Sequence, residues 1–296
     1  MIAMSHPSSR LLCAARPLHP VATVRAAPPR PSKWLASVAT IFSLGSATAV
    51  GLNDTGQTLC YNASDVGVPC SAAVGGDNGV NPRQDGRYGR DAAAAAGQLT
   101  KIGAGSAGFD YTKIANNGSA LPASASLGAG PTDWACTKDN VTGLIWEVKT
   151  TSGLRSSAHT YTWYSTDTAS NGGVAGAVGT NTCGSTLAAA PYNNQCNTQN
   201  FALAANAVGL CGAANWRLPT RRELLTIVNV GQTEPTIDTL YFPNTSVGTF
   251  DFNSYWVGNT YALNFANSFL VTFKNAGSDT SPKNQLARVR LVRVAP

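Results

Sequence analysis

The chain has 296 residues, with 21 lysines and arginines against 15 acids, a formal charge of +6. Five of the bases (Arg10, Arg16, Arg25, Arg30, Lys33) precede residue 50, where no acid occurs, leaving 16 bases and 15 acids in the remainder. That near-neutral balance excludes overall basicity as a reason to expect a nucleic-acid partner.

The basic stretch is followed by a short apolar core, "WLASVATIFSL" (Trp34 to Leu44), and by "ATA" (Ala47 to Ala49), an A-x-A cleavage site. This is the layout of a secretory signal, so residues 1–49 are expected to be a basic leader removed after Ala49. The apolar run falls short of the roughly 20 residues a membrane span needs, so no stable span is expected in the product. A secreted, periplasmic or cell-surface location follows. Export also explains the cysteines: Cys13 lies in the leader, and Cys60, Cys70, Cys136, Cys183, Cys196 and Cys211 remain, an even set suited to disulfides. Six cysteines can pair in many ways, so spacing alone leaves the connectivity open. The arrangement expected here is Cys60–Cys70, Cys136–Cys211 and Cys183–Cys196. No C-x-x-C pair occurs and His159 is the one histidine after the leader, so no zinc site, other metal or cofactor is expected.

Residues 50–130 are rich in Gly, Ala, Asn and Ser and read as an irregular region, with "DAAAAAGQL" as a short helix and "GFDYTKI" as a short strand. "GAGSAG" (Gly103 to Gly108) fits G-x-G-x-x-G but does not link a strand to a helix, so it reads as a turn. From residue 131 to 296 a domain emerges. In "TGLIWEV", Leu144, Trp146 and Val148 alternate onto one face; in "TYTWY", Tyr161 and Trp163 do the same. A Gly/Asn-rich loop runs from Asn171 to Asn197. "TQNFALAANAVGLCG" then places Phe201, Ala204, Ala205 and Val208 at helical spacing, capped by Asn197 or Thr198 and ended by Gly212. "WRLPTRRELLTIVNVG" starts a second helix with a T-x-x-E capping box, Thr220 and Glu223, and ends it at Gly231. "SYWVGNTY", "SFLVTF" and "LARVRLVRV" read as strands, with a turn at Asn275 to Gly277. Strands, two helices, then strands describe an α+β domain with an antiparallel sheet.

Most candidate chemistry reduces to structure. Asp133, Asp139 and Asp167 match no calcium-loop spacing, and "KDNVTG" reads as a turn. His159 has no nucleophile motif beside it. Trp134, Trp146, Trp163 and Trp216 suit a core, whereas Trp256, beside polar residues and a glycine, is a candidate for stacking on a ligand. The final third carries a charge of +3 from Trp216 onward. Arg221 and Arg222 occupy a helix N-terminus, where the dipole disfavours cations by about 0.3–1 kcal/mol each but free N–H groups favour anions. Arg288 and Arg290 share one face of the last strand, with Arg293 on the other. Arg221, Arg222, Arg288 and Arg290 are therefore expected to form one anion-binding surface.

"CTKDNVTGLIWEVKT", "TYTWY", "GLCGAANWRLPTRRELLTIV", "YFPNT", "YWVGNTYA" and "ARVRLVR", in this order, resemble the Lcl C-terminal domain family, named for a bacterial collagen-like adhesin. The likeness covers Trp134 to Val294, and W-R-L-P-T is its most specific element. It implies an exported surface module that binds sulfated glycosaminoglycans as an oligomer, although the collagen-like repeat is missing here. "RLPT" before an acid-bearing helix is also similar to formylglycine-generating enzymes. That likeness implies a C-type-lectin-like fold, two helices against antiparallel strands, but not the activity, whose cysteines would follow Cys211. Lectin-type E-P-N or Q-P-D motifs are absent as well; Glu234-Pro235-Thr236 comes nearest. The function expected is thus a non-catalytic, adhesin-like binding module for an anionic glycan. The alternatives are an envelope or appendage assembly component, or an enzyme on the formylglycine-generating fold.

Overall fold

The structure, a computed structural model, describes residues 53–62, 64, 66–70, 83–248 and 253–296, which lie within one compact unit, Thr48–Pro296. The leader and the cleavage position after Ala49 fall outside the described residues. The chain is mixed α+β with antiparallel sheets, in this order: β1 (Cys60–Tyr61), β2 (Gly67–Val68), α1 (Asp85–Tyr88), α2 (Arg90–Ala95), β3 (Tyr111–Ala115), β4 (Ala120–Leu121), β5 (Trp134–Asp139), β6 (Leu144–Glu147), α3 (Thr198–Ala207), α4 (Arg221–Leu225), β7 (Tyr255–Thr260), β8 (Asn267–Val271), β9 (Ser278–Pro282) and β10 (Val292–Val294).

A five-stranded sheet of order β10-β6-β5-β3-β4 forms the centre, and β7-β8-β9 form a second sheet. The boundary expected at residue 131 cuts through the central sheet, because β3 pairs with β5 from Tyr111↔Asp139 to Ala115↔Trp134. The central strands are covered on both faces. Ile145 joins one apolar cluster with Phe201, Ala204 and Ala205 of α3; Leu144 and Trp146 join another with Leu224, Ile227 and Phe242. Alternation therefore separates two cores here, not core from solvent.

Local signals set the helices. Asn197 caps α3 by accepting from Asn200 N, and Phe201, Ala204 and Ala205 face inward. Val208, expected on that face, lies one residue past the helix and is 68% exposed; Gly209, not Gly212, supplies the left-handed turn at φ 62°. The α4 capping box forms as expected: Thr220 Oγ1 accepts from Glu223 N at 3.2 Å, and Thr220 N donates to Glu223 Oε2 at 2.8 Å. The helix closes after five residues, well short of Gly231, yet Ile227 and Val228 still enter the core from the following turns.

The last segment differs most from expectation. Only Val292–Val294 is strand; before it, Ala287 bridges Tyr161 and Arg288 bridges Tyr255, and Val292 pairs with both Arg217 and Trp146. Residues 287–292 thus run between other chain segments, and both sides of the segment are covered. Disulfides join Cys60–Cys70, Cys136–Cys211 and Cys183–Cys196. Cys136–Cys211 ties β5 to the turn after α3, a sequence separation of 75. A loop of that length makes this the bridge with the larger effect on the unfolded chain.

Candidate functional site

The expected four-arginine surface does not assemble. Arg290 is fully buried: Nη1 donates to Glu147 O and Nη2 to Thr245 Oγ1, both at 2.8 Å, and the guanidinium lies over the Phe242 and Tyr255 rings. Arg288 is half-buried and donates to Ser157 O and His159 O at 2.6 and 3.1 Å. Arg293 is buried over the Trp216 ring. Trp256 is also fully buried, with Nε1 donating to Tyr161 O at 2.8 Å, so it offers no stacking face. The physical reason is the double cover of the last segment and of β7, which turns both strand faces inward. Trp134, Trp146, Trp163 and Trp216 are buried too.

Beneath Arg290 lies an unforeseen ion pair. Lys149 Nζ is 2.9 Å from Glu147 Oε1, both groups out of solvent, and Glu147 Oε2 accepts from Leu291 N at 3.0 Å. Burial lowers the Lys149 ammonium to about 8 despite the raising effect of Glu147. The signal available in the sequence was Glu147 and Lys149 two apart on an otherwise apolar strand, which places opposite charges on one face.

Arg221 and Arg222 do remain at the surface. Arg221 Nε donates to Ser278 Oγ at 2.8 Å and its guanidinium lies over Phe269. Its backbone N donates to Asn259 Oδ1, so the helix N-terminus already has an acceptor from β7. Arg217, which composition had not singled out, forms a bidentate pair with Glu223, at 2.8 and 2.7 Å. Burial pushes the Glu223 carboxyl up, but the bonds from Arg217 and Thr220 outweigh it and hold it below the usual range.

The W-R-L-P-T segment forms one wall of a groove of about 520 Å³. Trp216, Arg217, Leu218 and Thr220 face the loop from Trp163 to Ser170, the α3 residues Gln199, Ala202, Leu203 and Asn206, and Gly258 and Asn259 of β7. The lining is mainly apolar, with a few polar groups converging on it, the usual character of a small-ligand site. Two of those groups have unused donors. Gln199 Oε1 accepts from Thr166 N and Oγ1, and Asn259 Oδ1 accepts from Arg221 N, while neither side-chain nitrogen donates to any of the described residues. A larger depression of about 730 Å³ lies near Val208 and is bordered largely by loops such as Thr150 to Arg155. Its buried cation, Arg155, is held by Ala135 O and Val148 O, so we place the candidate site at the smaller groove.

The remaining candidates are structural. In Gly103 to Gly108, the N–H groups of Gly103, Ser106 and Gly108 donate to Asp110, Asp238 and Asp91 carboxylates, which leaves no place for a phosphate. Asp139 closes its turn through Val141 N and Thr142 N, Asp133 accepts from Gly130 N, and Asp167 accepts from Ala169 N. These three aspartates do not converge, and no cluster able to hold a metal occurs among the described residues. His159 is half-buried and its pKa is lowered, first by burial. No described helix is long and apolar enough to cross a membrane.

No curated protein and no solved structure matches the chain. The Lcl C-terminal domain family matches residues 135–293, a span that runs from within β5 to within β10 and includes the W-R-L-P-T wall and the opposing loop. With more than half of its length matched, the chain belongs to the Lcl C-terminal domain family.

Proposed function

We propose that this is an exported, surface-associated binding module of adhesin type, that its ligand occupies the W-R-L-P-T groove, and that it carries out no chemistry. The observation behind the reading is the groove wall itself. The segment that most marks the family also lines the cavity, and the free nitrogens of Gln199 and Asn259 line it with donors. Such donors suit an oxygen-rich ligand, and Arg221 and Arg222 beyond Thr220 add attraction for an anion. An anionic glycan combines both features. The three disulfides accord with an extracellular or surface location, and they leave no thiol among the described cysteines for nucleophilic chemistry.

A glycan array and a heparin column, both run with the exported protein, test this reading. Array binding should fall in Gln199→Ala and Asn259→Ala without loss of fold. Heparin retention should weaken with salt as charges become screened beyond about 8 Å. Unchanged array binding in both variants would remove the groove from the reading. A second reading, an assembly component, draws on Leu263 and Phe265, which stand 85% and 48% exposed. Self-association lost in Leu263→Ser with glycan binding absent would favour it.

A further inference from the structure

A pair of buried carboxylates lies in the region before the family match. Asp54 and Asp91 are only 6% and 4% exposed. Each uses one oxygen: Asp54 Oδ1 accepts from Thr55 N, and Asp91 Oδ1 accepts from Gly108 N. The other oxygens, Asp54 Oδ2 and Asp91 Oδ2, are buried without a hydrogen-bond donor. Both side chains converge on Gly108, where a Cβ would collide with Asp54 Oδ2 and with Arg90. Gly108 thus has the Asp91 carboxyl at its N–H and the Asp54 carboxyl at its Cα, which brings the two acids to one residue.

The surrounding charges do not neutralise them. Asp85 of α1 adds a third carboxylate beside Asp54 and is itself bonded by Thr55 Oγ1. Arg90 of α2 donates through Nε to Gly108 O, and Lys101 through Nζ to Gly105 O. The Lys101 ammonium feels Asp91 as well as Asp110 and Asp238, so its charge is divided among three acids. Neither Asp54 nor Asp91 has an ion-pair partner among the described residues. Two buried carboxylates held against one residue cannot both ionise without strong repulsion, whereas one shared proton gives each orphan oxygen a partner.

We propose that Asp54 and Asp91 share one proton and form a pH-sensitive latch that fastens the segment around Asn53 to Gln57 onto the domain. The segment has other fastenings besides: Asn53 Nδ2 donates to Asp139 Oδ2 at 2.7 Å, Val230 N donates to Thr55 O at 2.8 Å, and Thr55 Oγ1 donates to Asp85. Burial, then the hydrogen bond and charge of Asp91, raise Asp54 above its ordinary range. A carboxyl raised in the folded state contributes stability that is complete below the unfolded value of about 3.9 and is lost as pH rises through the folded value. The latch is therefore closed in acid and loosens toward neutral pH.

Amide hydrogen exchange on the full chain, corrected for intrinsic pH effects, tests the latch between about pH 4 and about pH 8. The amides of Thr55 and Val230 should lose protection by about tenfold or more as pH rises, with β5 and β6 unchanged. Asp54→Asn supplies a permanent N–H donor and should abolish that loss. Asp91→Asn should do the same from the other side and covers the case in which the first variant does not fold. Equal pH response in both variants and wild type would overturn the proposal, as would no response in wild type. Protection restored at high pH by calcium in wild type but not in Asp54→Asn would also overturn it, by assigning the pair to a divalent cation. A response removed by Asp85→Asn alone would move the titration to α1 and away from the pair.

Discussion

Arg290 and Arg222 carry the same guanidinium in opposite settings. Arg290 lies in the interior, engaged by a backbone carbonyl, a threonine hydroxyl and two aromatic rings. Arg222 stands in solvent at the start of α4. Between these extremes Arg217 is tied to Glu223 and Arg221 rests on Ser278 and Phe269. The buried cations brace the centre of the domain, and among the arginines from Arg217 to Arg293 the α4 group keeps its charge at the surface. Counting arginines in the final third overstates the binding surface for that reason.

The sharpest way to break the contrast is Arg290→Ala. It deletes a fully buried long side chain and leaves Glu147 O and Thr245 Oγ1 without their donors. Loss of a buried, hydrogen-bonded cation costs about 3–5 kcal/mol. Chemical denaturation should show a shift of that size; a loss under about 1 kcal/mol would place Arg290 among the surface arginines after all.

Lys149 gives a pH test of the same interior. Its folded value, about 8, lies below the ordinary lysine value of 10.5, so between these the unfolded chain holds the proton and the folded chain does not. Stability then rises with pH across that window, by an amount on the order of 3 kcal/mol. Buried Tyr111 and Tyr161, raised chiefly by burial, oppose the rise above about pH 10, where the unfolded phenols ionise first. A melting profile that climbs from about pH 8 to about pH 10 in wild type and climbs less in Lys149→Met is expected, the remaining rise belonging to Lys283, whose ammonium burial also lowers to about 8. A decline over that range would mean that Lys149 stays charged in the fold.

Thr220→Ala probes the boundary between the two settings, because the capping box lines the groove and starts α4. Its loss should cost about 0.5–2 kcal/mol. An unchanged denaturation midpoint would show that the Arg217–Glu223 pair holds the turn alone.

These elements also show what the sequence could convey. The Thr220–Glu223 box, the Asn197 cap and the Asp139 turn depend on residues within a few positions, and each forms where its spacing placed it. The alternation from Arg288 to Val292 was equally clear, but period two says only that neighbours face opposite ways. It does not say whether either face meets water, and here bridges to Tyr161, Tyr255 and Arg217 flank the segment. β9 escaped notice because "SDTSP" is polar and its place is set by pairing with β8. The groove depends on contacts between distant segments, so its wall was legible as W-R-L-P-T while its opposite side, Tyr164 to Ser170, carried no motif in the sequence.

The smallest effect on stability belongs to Arg222, and it is the most informative about binding. Arg222 is exposed and makes no hydrogen bond or ion pair with the described residues, so Arg222→Ala should change stability by no more than about 0.5 kcal/mol. Removal of a cation from a helix N-terminus should even relieve a repulsion of a few tenths of a kcal/mol. If the groove takes an anionic ligand, the same change weakens binding at low salt, and the difference from wild type shrinks as salt is added. Arg288→Ala should behave in the opposite way: it removes donors from Ser157 O and His159 O and lowers the thermal midpoint, without a salt-dependent change in retention. Measured side by side on a heparin column and in a melt, the two variants separate charge that serves a partner from charge that serves the fold. Equal retention of Arg222→Ala and wild type at low salt would remove the anionic character from the ligand and leave the donor-lined groove to a neutral one.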